Sequence, residues 1–409
     1  MPLIHASYYR PRVFPVNGDC DPAEIDRVQD LAVSDSLNRT KIKEVGTDGT
    51  IDWKKDIPTI SVTMRQLEYC NFEFWRKLTN KPDATTSIDL NDFKTALIDI
   101  ACYKTDDDAT FIGTAWYPKL RTSSFSINIS DPDALIERNF TLNGEDDILW
   151  SNNNAYVIYG DKTCASGETG TVDIVIGSGD YATYPAPVFD PDESATFIMR
   201  VVRVRGGVST ELVAGTDYTY TSGTTTLAVD DCLVGDIIKF WYTATTYISG
   251  AQPFVTNTAD IGGAVATYCT LLLNVNNTLY KMQSCTIDVS FDRNDRKEIG
   301  NTEVVSRGIR SKTVRVTLGR DVDGHTLEEI LRGVSTTYGK IDAREFADNI
   351  TFTVKIYTDD TKATFALGYQ ATNLSPVSLD DSAPVDNYTS RNVTLEGEEL
   401  ELVSLESDL

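Results

Sequence analysis

The chain contains two copies of one sequence pattern. The peptide Arg138-Asn-Phe-Thr-Leu-Asn-Gly-Glu-Asp146 reappears, 253 residues further on, as Arg391-Asn-Val-Thr-Leu-Glu-Gly-Glu-Glu399. A second pair of peptides, which begin at Lys43 and Lys297, has a spacing of 254. Separate matches at nearly one spacing indicate an internal duplication, so the fold is expected to contain two equivalent modules.

Both copies predict the same secondary structure. Apolar and polar residues alternate over residues 60–64 and again over residues 314–318, which is typical of a half-buried strand. A second alternating strand covers residues 96–102 and 350–356, and a spacing of 254 pairs Cys102 with Ile356. Asp-rich turns follow, and an Ala-Thr-Phe peptide then restarts a strand, so each copy is expected to contain a hairpin.

One short helix is predicted in each copy, between the first strand and the hairpin. The segments are residues 71–78 and residues 326–332, and Thr326 is the expected N-cap of the second helix. The predicted fold class is therefore mainly β, with two tandem sandwich or barrel modules that each carry a short helix.

The segment between the copies has no counterpart in the duplication. Residues 195–246 read as five short strands separated by Gly-rich or Asp-rich turns, the pattern of a small β-sandwich. We therefore divide the chain into four parts. They are an N-terminal arm (1–24), copy one (25–150), an insert with its linkers (151–275) and copy two (276–409).

Composition limits the classes of function. Acidic residues outnumber basic ones by 61 to 37, for a net charge of −24, which argues against a groove that grips duplex DNA. Strong acidity also fits adaptation to high salt. The seven cysteines form no C-x-x-C pair and read as reduced, mostly buried thiols. No apolar run reaches signal-peptide or membrane-helix length, so neither secretion by that route nor a membrane partner is expected.

Groups that perform chemistry are scarce. There are two histidines, His5 and His325, and the Asp-rich peptides lack the D-x-D-x-D-G spacing of a calcium loop. No phosphate-binding Gly-rich loop precedes a helix signal. We predict no enzymatic activity, no metal and no cofactor.

The order of these features resembles the tail tube proteins of tailed bacteriophages and archaeal tailed viruses. The shared features are a Lys-Glu-Val/Ile-Gly peptide, a loop, an alternating strand, a short helix, a hairpin and a closing strand, present in both copies. The peptides that start at Gly215 and Val234 resemble the immunoglobulin-like decoration domains of viral tail proteins. A domain placed between the copies departs from the simple family pattern.

The resemblance implies a structural virion protein. In duplicated members of the family, three chains form a ring with pseudo-sixfold symmetry, and the rings stack into a hollow tube that conducts viral DNA during genome ejection. Expected partners are further copies of this chain, other tail proteins and DNA that passes without specific binding. The expected location is the virion tail, after assembly in the host cytoplasm. A baseplate or hub ring protein and a cell-surface adhesin-like β-protein stay open as alternatives.

The same resemblance suggests where rings touch each other. The loops at residues 47–58 and 301–312 are the predicted stacking contacts. Their candidate residues are Trp53, Lys54, Lys55, Arg307 and Arg310. A solvated hairpin tip is the alternative reading of each loop.

Overall fold

The computed structural model describes most of the chain. The described residues are 9–16, 21–36, 39–42, 52–55, 59–69, 71–105, 111–144, 149–151, 156–187, 198–221, 225–249, 263–274, 277–279, 282–297, 304–321, 330–331, 347–382 and 390–409. The fold is mainly β, as predicted, and its sheets are antiparallel. Within these ranges, no helix has the length and apolar character that crossing a lipid bilayer requires.

In the first half of the chain, the described residues form eleven strands and one α-helix. The strands are β1 (Tyr9–Pro15), β2 (Ala23–Glu24), β3 (Val28–Ser36), β4 (Arg39–Ile42), β5 (Asp52–Lys55), β6 (Thr59–Leu67), β7 (Ser87–Asp89), β8 (Ile98–Thr105), β9 (Phe111–Ile129), β10 (Glu137–Gly144) and β11 (Leu149–Ser151). Helix α1 (Glu73–Thr79) lies between β6 and β7, which confirms the first predicted helix.

The described part of the insert contributes seven strands. They are β12 (Tyr156–Thr163), β13 (Gly170–Val175), β14 (Ile198–Arg205), β15 (Val208–Glu211), β16 (Tyr218–Thr221), β17 (Thr226–Cys232) and β18 (Ile237–Ala244). The order β12-β18-β14-β15 makes one sheet and β13-β17-β16 the other. Both sheets contribute side chains to one buried cluster, which includes Ile158, Ile174, Leu227 and Phe240. β12 and β13 come from a stretch in which the sequence shows no clear strand signal.

The second half repeats the first. Its strands are β19 (Cys269–Leu273), β20 (Asn277–Thr278), β21 (Met282–Lys297), β22 (Val304–Asp321), β23 (Ile350–Tyr357), β24 (Phe365–Ser382), β25 (Ser390–Gly397) and β26 (Glu399–Val403). The chain is helical at Ile330 and Leu331, and the rest of the second predicted helix, with Thr326 and His325, lies outside the described residues.

One continuous sheet runs through both copies, and we call it the joined sheet. Its order is β3-β6-β10-β9-β21-β22-β25-β24. The first four strands and the last four are equivalent in the duplication and stand in the same order. Irregularities in the ladder also recur, because the register shifts after Val28 and after Met282, and again after Thr141 and before Ser378.

A second layer packs over the joined sheet in each copy. In copy one its order is β2-β1-β8-β9-β11, and in copy two it is β20-β19-β23-β24-β26. The long strands β9 and β24 belong to both layers. Each has a residue with positive φ where it passes between them, Lys119 at 52° and Asn373 at 55°. Each copy is therefore a two-layer sandwich.

The ladders correct one prediction about the hairpin. Ile98 lies opposite Leu120 and Ile350 lies opposite Leu374, so the second strands align with a spacing of 252 rather than 254. Cys102 is then equivalent to Val354, not to Ile356. A shift of two residues keeps every side chain on its face. The predicted core position is unaffected, since Cys102 is fully buried.

The core of each module lies between its two layers. The inward residues of the first predicted strand are Ile60, Val62 and Met64 in copy one and Val314, Val316 and Leu318 in copy two, all at most 2% exposed. Helix α1 adds Phe74, Trp75 and Leu78 to the same cluster. Its C-terminus is closed by Asn80 in the left-handed conformation (φ 55°), where its N–H reaches the last carbonyls of the helix.

Two segments assigned outside the modules form part of their sheets. β1, in the predicted N-terminal arm, pairs with β8 from Tyr9 to Pro15. β19, in the predicted linker, pairs with β23 from Cys269 to Leu273. The four-part division of the chain stays a prediction, but both segments supply the same layer at equivalent places.

Candidate functional site

The two copies are joined head to tail. β9, the last strand of copy one in the joined sheet, pairs with β21, the first strand of copy two, from Ile129 opposite Cys285 to Ser124 opposite Ser290. The inward side chains at this seam, Phe125, Ile127, Ile287 and Val289, are at most 2% exposed. β7 of copy one also pairs with β26 of copy two. The joint is therefore made by backbone ladders in both layers and by a dry core.

A buried polar network crosses this joint. Arg138, the first residue of the repeated peptide, places Nη1 3.3 Å from Oε2 of Glu68 and donates through Nη2 to Oε1 of Gln66 at 3.0 Å. Tyr369 of copy two donates its hydroxyl to Oε2 of Glu68 at 2.7 Å. Arg138, Glu68 and Tyr369 are all fully buried. The network thus connects copy one to copy two through a carboxylate with no access to water.

Aromatic rings enclose the Arg138 guanidinium. Its Cζ lies 5.2 Å from the ring centroid of Tyr69 and 5.5 Å from that of Trp75. Burial acts to lower the pKa of Arg138, but Glu68, Tyr369 and Tyr69 together outweigh it, so the pKa is raised and the side chain stays charged. Burial also raises the pKa of Tyr69 to about 12. The site is built to hold a paired charge in a dry interior.

The equivalent site in copy two has different chemistry. Arg391 occupies the place of Arg138 and lies opposite Arg320 in the ladder, where copy one has Gln66. Arg391 donates to both carboxylate oxygens of Asp381, with Nη2 2.7 Å from Oδ2. Burial and the neighbouring Arg320 lower the pKa of Arg391. This cluster lies beside β24, at one edge of the joined sheet, and the side chain of Asp381 is 50% exposed.

The two edges of the joined sheet match the two strands of its internal seam. β3 is the copy-one equivalent of β21, and β24 is the copy-two equivalent of β9. Leu379 and Val377 on β24 are 37% and 61% exposed, while Phe125, at the position equivalent to Leu379, is 2% exposed. Both edges thus have the partner geometry of the seam, and the β24 edge leaves apolar side chains in solvent.

One face of the joined sheet is largely polar across its six central strands. An apolar side chain, Leu67, lies at the end of β6 opposite Glu137. The polar side chains on this face are not fully buried. They are Ser61, Thr63, Arg65, Ser124, Ser126, Asn128, Glu137, Asn139, Thr141, Thr286, Asp288, Ser290, Thr313, Arg315, Thr317, Asn392, Thr394 and Glu396. Both arginines have carboxylate partners, since Arg65 lies 3.3 Å from Glu137 and Arg315 lies 3.0 Å from Glu396. The face is rich in hydroxyl and amide groups, and its positive charges are neutralised.

The insert packs on the second layer of copy one. Asp99, which the sequence places on the polar side of its strand, is fully buried and receives two hydrogen bonds from Arg200, Nε at 2.8 Å and Nη2 at 3.1 Å. It also accepts the N–H of Lys119 at 2.8 Å. Around this pair lies an apolar cluster that both parts share. Its members are Phe14, Val16, Ala101, Tyr103, Trp116, Val157, Val202, Val204 and Trp241.

The predicted stacking residues lie on strands. Trp53, Lys54 and Lys55 belong to β5, which pairs with β4 as a separate two-stranded sheet. Arg307 and Arg310 lie on β22, where its ladder with β21 extends beyond the core, and Arg310 is exposed. Residues 301–303 and parts of 47–58 lie outside the described ranges. The predicted loops are thus hairpin arms at the described positions, and a role in ring contacts remains a proposal.

Among the described residues, no three His, Cys, Asp or Glu side chains are grouped as metal ligands. The five described cysteines are free, and four of them are buried. A cavity of about 300 Å³ beside the seam is lined mainly by apolar side chains, among them Ile129, Leu271 and Leu279, with Lys362 at its border. The buried charged side chains described above form ion pairs within the fold.

Comparison with known proteins gives structural neighbours but no family. No protein-family model and no curated protein matches the chain. The tube-terminating cap of the anti-feeding prophage is similar at 12% identity and a TM-score of 0.29. The sheath-tube complex of an extracellular contractile injection system gives 14% and 0.28, and the anti-feeding prophage baseplate gives 13% and 0.27. Each match covers 37% of this chain and 97% to 100% of the other.

Proposed function

We propose that this chain is a non-enzymatic structural protein of a viral tail. Three copies form a pseudo-hexameric ring, and rings stack into the hollow tube through which viral DNA leaves the particle. The chain assembles in the host cytoplasm with itself and with other tail proteins. The head-to-tail seam between β9 and β21 is the observation that carries this proposal.

A head-to-tail joint leaves complementary edges at its ends. β24 of one chain is the equivalent of β9, and β3 of the next chain is the equivalent of β21, so the internal seam can be repeated between chains. Joints of this kind generate a closed ring when the rotation closes and a filament when it does not. A closed ring also removes the exposed strand edges, which otherwise promote aggregation. The number of three chains comes from the resemblance of the repeated pattern to duplicated tail tube proteins.

The polar face of the joined sheet is assigned to the wall of the channel. The other face carries the core, and beyond the core lie the second layer and the insert, so the insert projects outward. A wall of Ser, Thr and Asn, with both arginines paired to carboxylates, offers DNA phosphates no unpaired cation at those positions. A net charge of −24 acts in the same direction. DNA is thereby expected to pass without adhering.

The first test is the assembly state of the purified chain over a range of salt concentrations. We expect particles with three times the 45.2 kDa mass of one chain, and hollow tubes by negative-stain electron microscopy. Monomers under every condition would overturn the proposal. Closed rings that never stack would support a baseplate or hub protein instead.

The second test checks the register between chains. Moving the observed Ser126–Asp288 pair by the repeat spacing places Ser34 opposite Asp380 of the neighbouring copy. The variant Ser34→Cys/Asp380→Cys is therefore expected to form covalent trimers on oxidation. The matched control, Ser126→Cys/Asp288→Cys, forms its crosslink inside one chain and stays monomeric on a denaturing gel. If the first variant also gives only monomers, the seam is not repeated between chains.

A further inference from the structure

Two cysteines of the insert lie side by side. Cys164 directly follows β12, and Cys232 is the last residue of β17. Both side chains are 1% exposed and belong to the same buried cluster, and each thiol affects the pKa of the other. β12 belongs to the four-stranded sheet and β17 to the three-stranded sheet. The thiol pair therefore lies between the two sheets of the insert.

The backbone holds both cysteines in place. The N–H of Cys164 donates to the carbonyl of Asp236 at 2.8 Å, and its carbonyl accepts the N–H of Gly235 at 2.9 Å. The turn that links Cys232 to these residues is fixed by the Asp236 carboxylate, which accepts the N–H of Leu233 at 2.8 Å and is paired with Arg205. One short, well-anchored turn thus positions both sulfur atoms. Two neighbouring buried thiols on an anchored backbone suit a disulfide, whose geometry tolerates little movement of the backbone.

We propose that Cys164 and Cys232 are a disulfide-forming pair, oxidised by a small-molecule disulfide. The thiolate of one cysteine attacks a sulfur of the oxidant and releases one small thiolate. The second cysteine attacks the mixed disulfide and releases the other small thiolate. The two cysteine protons go to solvent or to the released thiolates, and the oxidant ends as two thiols.

The timing of this step rests on the proposed function. A tail protein is assembled in a reducing cytoplasm and then works outside the cell, where disulfides persist. Inside the cell the pair stays reduced. Burial raises the pKa of both thiols, that of Cys232 to about 12, so the folded insert reacts slowly. The bond would therefore form after release and stabilise a finished particle.

The physical effect of the bond is a restriction of the unfolded insert. It would close a loop of about 70 residues, for which the chain-entropy relation predicts a substantial gain in stability. The same crosslink would tie the two sheets together at the end where Cys164 leaves β12. The insert is the part of the chain expected to project from the tube, so it is exposed to shear and to proteases.

The experiment uses the full chain and mixtures of reduced and oxidised glutathione. After incubation, remaining thiols are alkylated in denaturant and peptides are mapped by mass spectrometry. We expect a crosslinked peptide that contains Cys164 and Cys232, and a rise of about 5 °C or more in the melting temperature of the insert. Cys164→Ala and Cys232→Ala should lose both effects, while the control Cys269→Ala should keep them.

The mapping of the natural sequence decides the question even if a variant fails to fold. Full alkylation of both Cys164 and Cys232 under strongly oxidising mixtures would overturn the proposal. A crosslink from either cysteine to another position would overturn it as well. Because the measurement needs only folded chains, its failure is distinguishable from a failure of ring or tube assembly.

Discussion

The two copies have the same strand pairing but differ on the outer surface of the second layer. In copy one the outward positions are Phe14, Asp99, Ala101, Tyr103 and Trp116, and the insert covers them. The ladders place Asn274, Thr351, Thr353, Lys355 and Gln370 at the equivalent positions of copy two. Lys355 there pairs with Glu406 of its own copy at 2.9 Å. Duplication has therefore allowed one copy to become a docking surface while the other kept a polar surface.

A second contrast concerns the repeated arginine. Arg138 is sealed at the joint inside the chain with Glu68 and Tyr369, whereas Arg391 lies near an open edge beside Arg320 and a half-exposed Asp381. The internal joint is thus dry and permanent. The joint proposed between chains carries charge close to solvent, so it is the joint that salt should weaken.

The largest effect is expected from removal of the insert. Deletion of residues 156–260, with a short Gly/Ser linker, uncovers Phe14, Tyr103 and Trp116 and leaves Asp99 without Arg200. We expect aggregated or insoluble protein, because a contiguous apolar surface is exposed to water. Soluble expression and light scattering measure this outcome.

A matched variant tests the cause. The same deletion combined with the copy-two residues, Phe14→Asn, Asp99→Thr, Ala101→Thr, Tyr103→Lys and Trp116→Gln, should restore soluble, monodisperse protein. If the simple deletion is already soluble, the outer surface of copy one does not depend on the insert. The difference between the outer surfaces of the two copies would then have no effect on solubility.

The sequence predicts the elements better than their partners. The alternation at residues 60–64 and the helix at 71–78 were found because local periodicity determines which side chains face the core. Asp99 was placed on the polar side because its partner, Arg200, is more than 100 residues away and belongs to another part of the fold. The apolar neighbours Ala101 and Tyr103, on the same side of the strand as Asp99, were the available signal.

The missed strands have a similar explanation. β1 and β19 are equivalent in the structure, but they lie off the repeat spacing because the connection from β1 to β3 is longer than the connection from β19 to β21. Glu68 and Tyr369 carried no local signal either, since a contact 301 residues apart leaves no trace in periodicity. The sequence repeat therefore predicts the two modules, whereas the contacts that join them are visible only in the structure.

The next largest effect compares the two repeated arginines. Arg138→Met leaves Glu68 buried without its cation, which should lower the free energy of unfolding by about 3–5 kcal/mol. Arg391→Met removes a partly exposed pair and should cost about 1 kcal/mol or less. Urea denaturation of the full chain measures both. Equal losses would show that burial of the network at the internal joint does not distinguish the copies.

The smallest effect compares two buried tyrosine hydroxyls. One lies at the seam between the two copies, and the other lies where the insert packs on copy one. Tyr369→Phe removes a hydrogen bond to the Glu68 carboxylate and should cost about 2 kcal/mol, since bonds to charged groups are the stronger class. Tyr103 donates at 3.0 Å to the neutral carbonyl of Val157 in the insert, and Tyr103→Phe should cost about 1 kcal/mol. Each hydroxyl also interacts with an arginine, Arg138 for Tyr369 and Arg12 for Tyr103, so the difference between the two variants' free energies of unfolding reports the acceptor. A larger loss for Tyr103→Phe would mean that the insert joint, rather than the seam between the copies, is the more tightly held of the two.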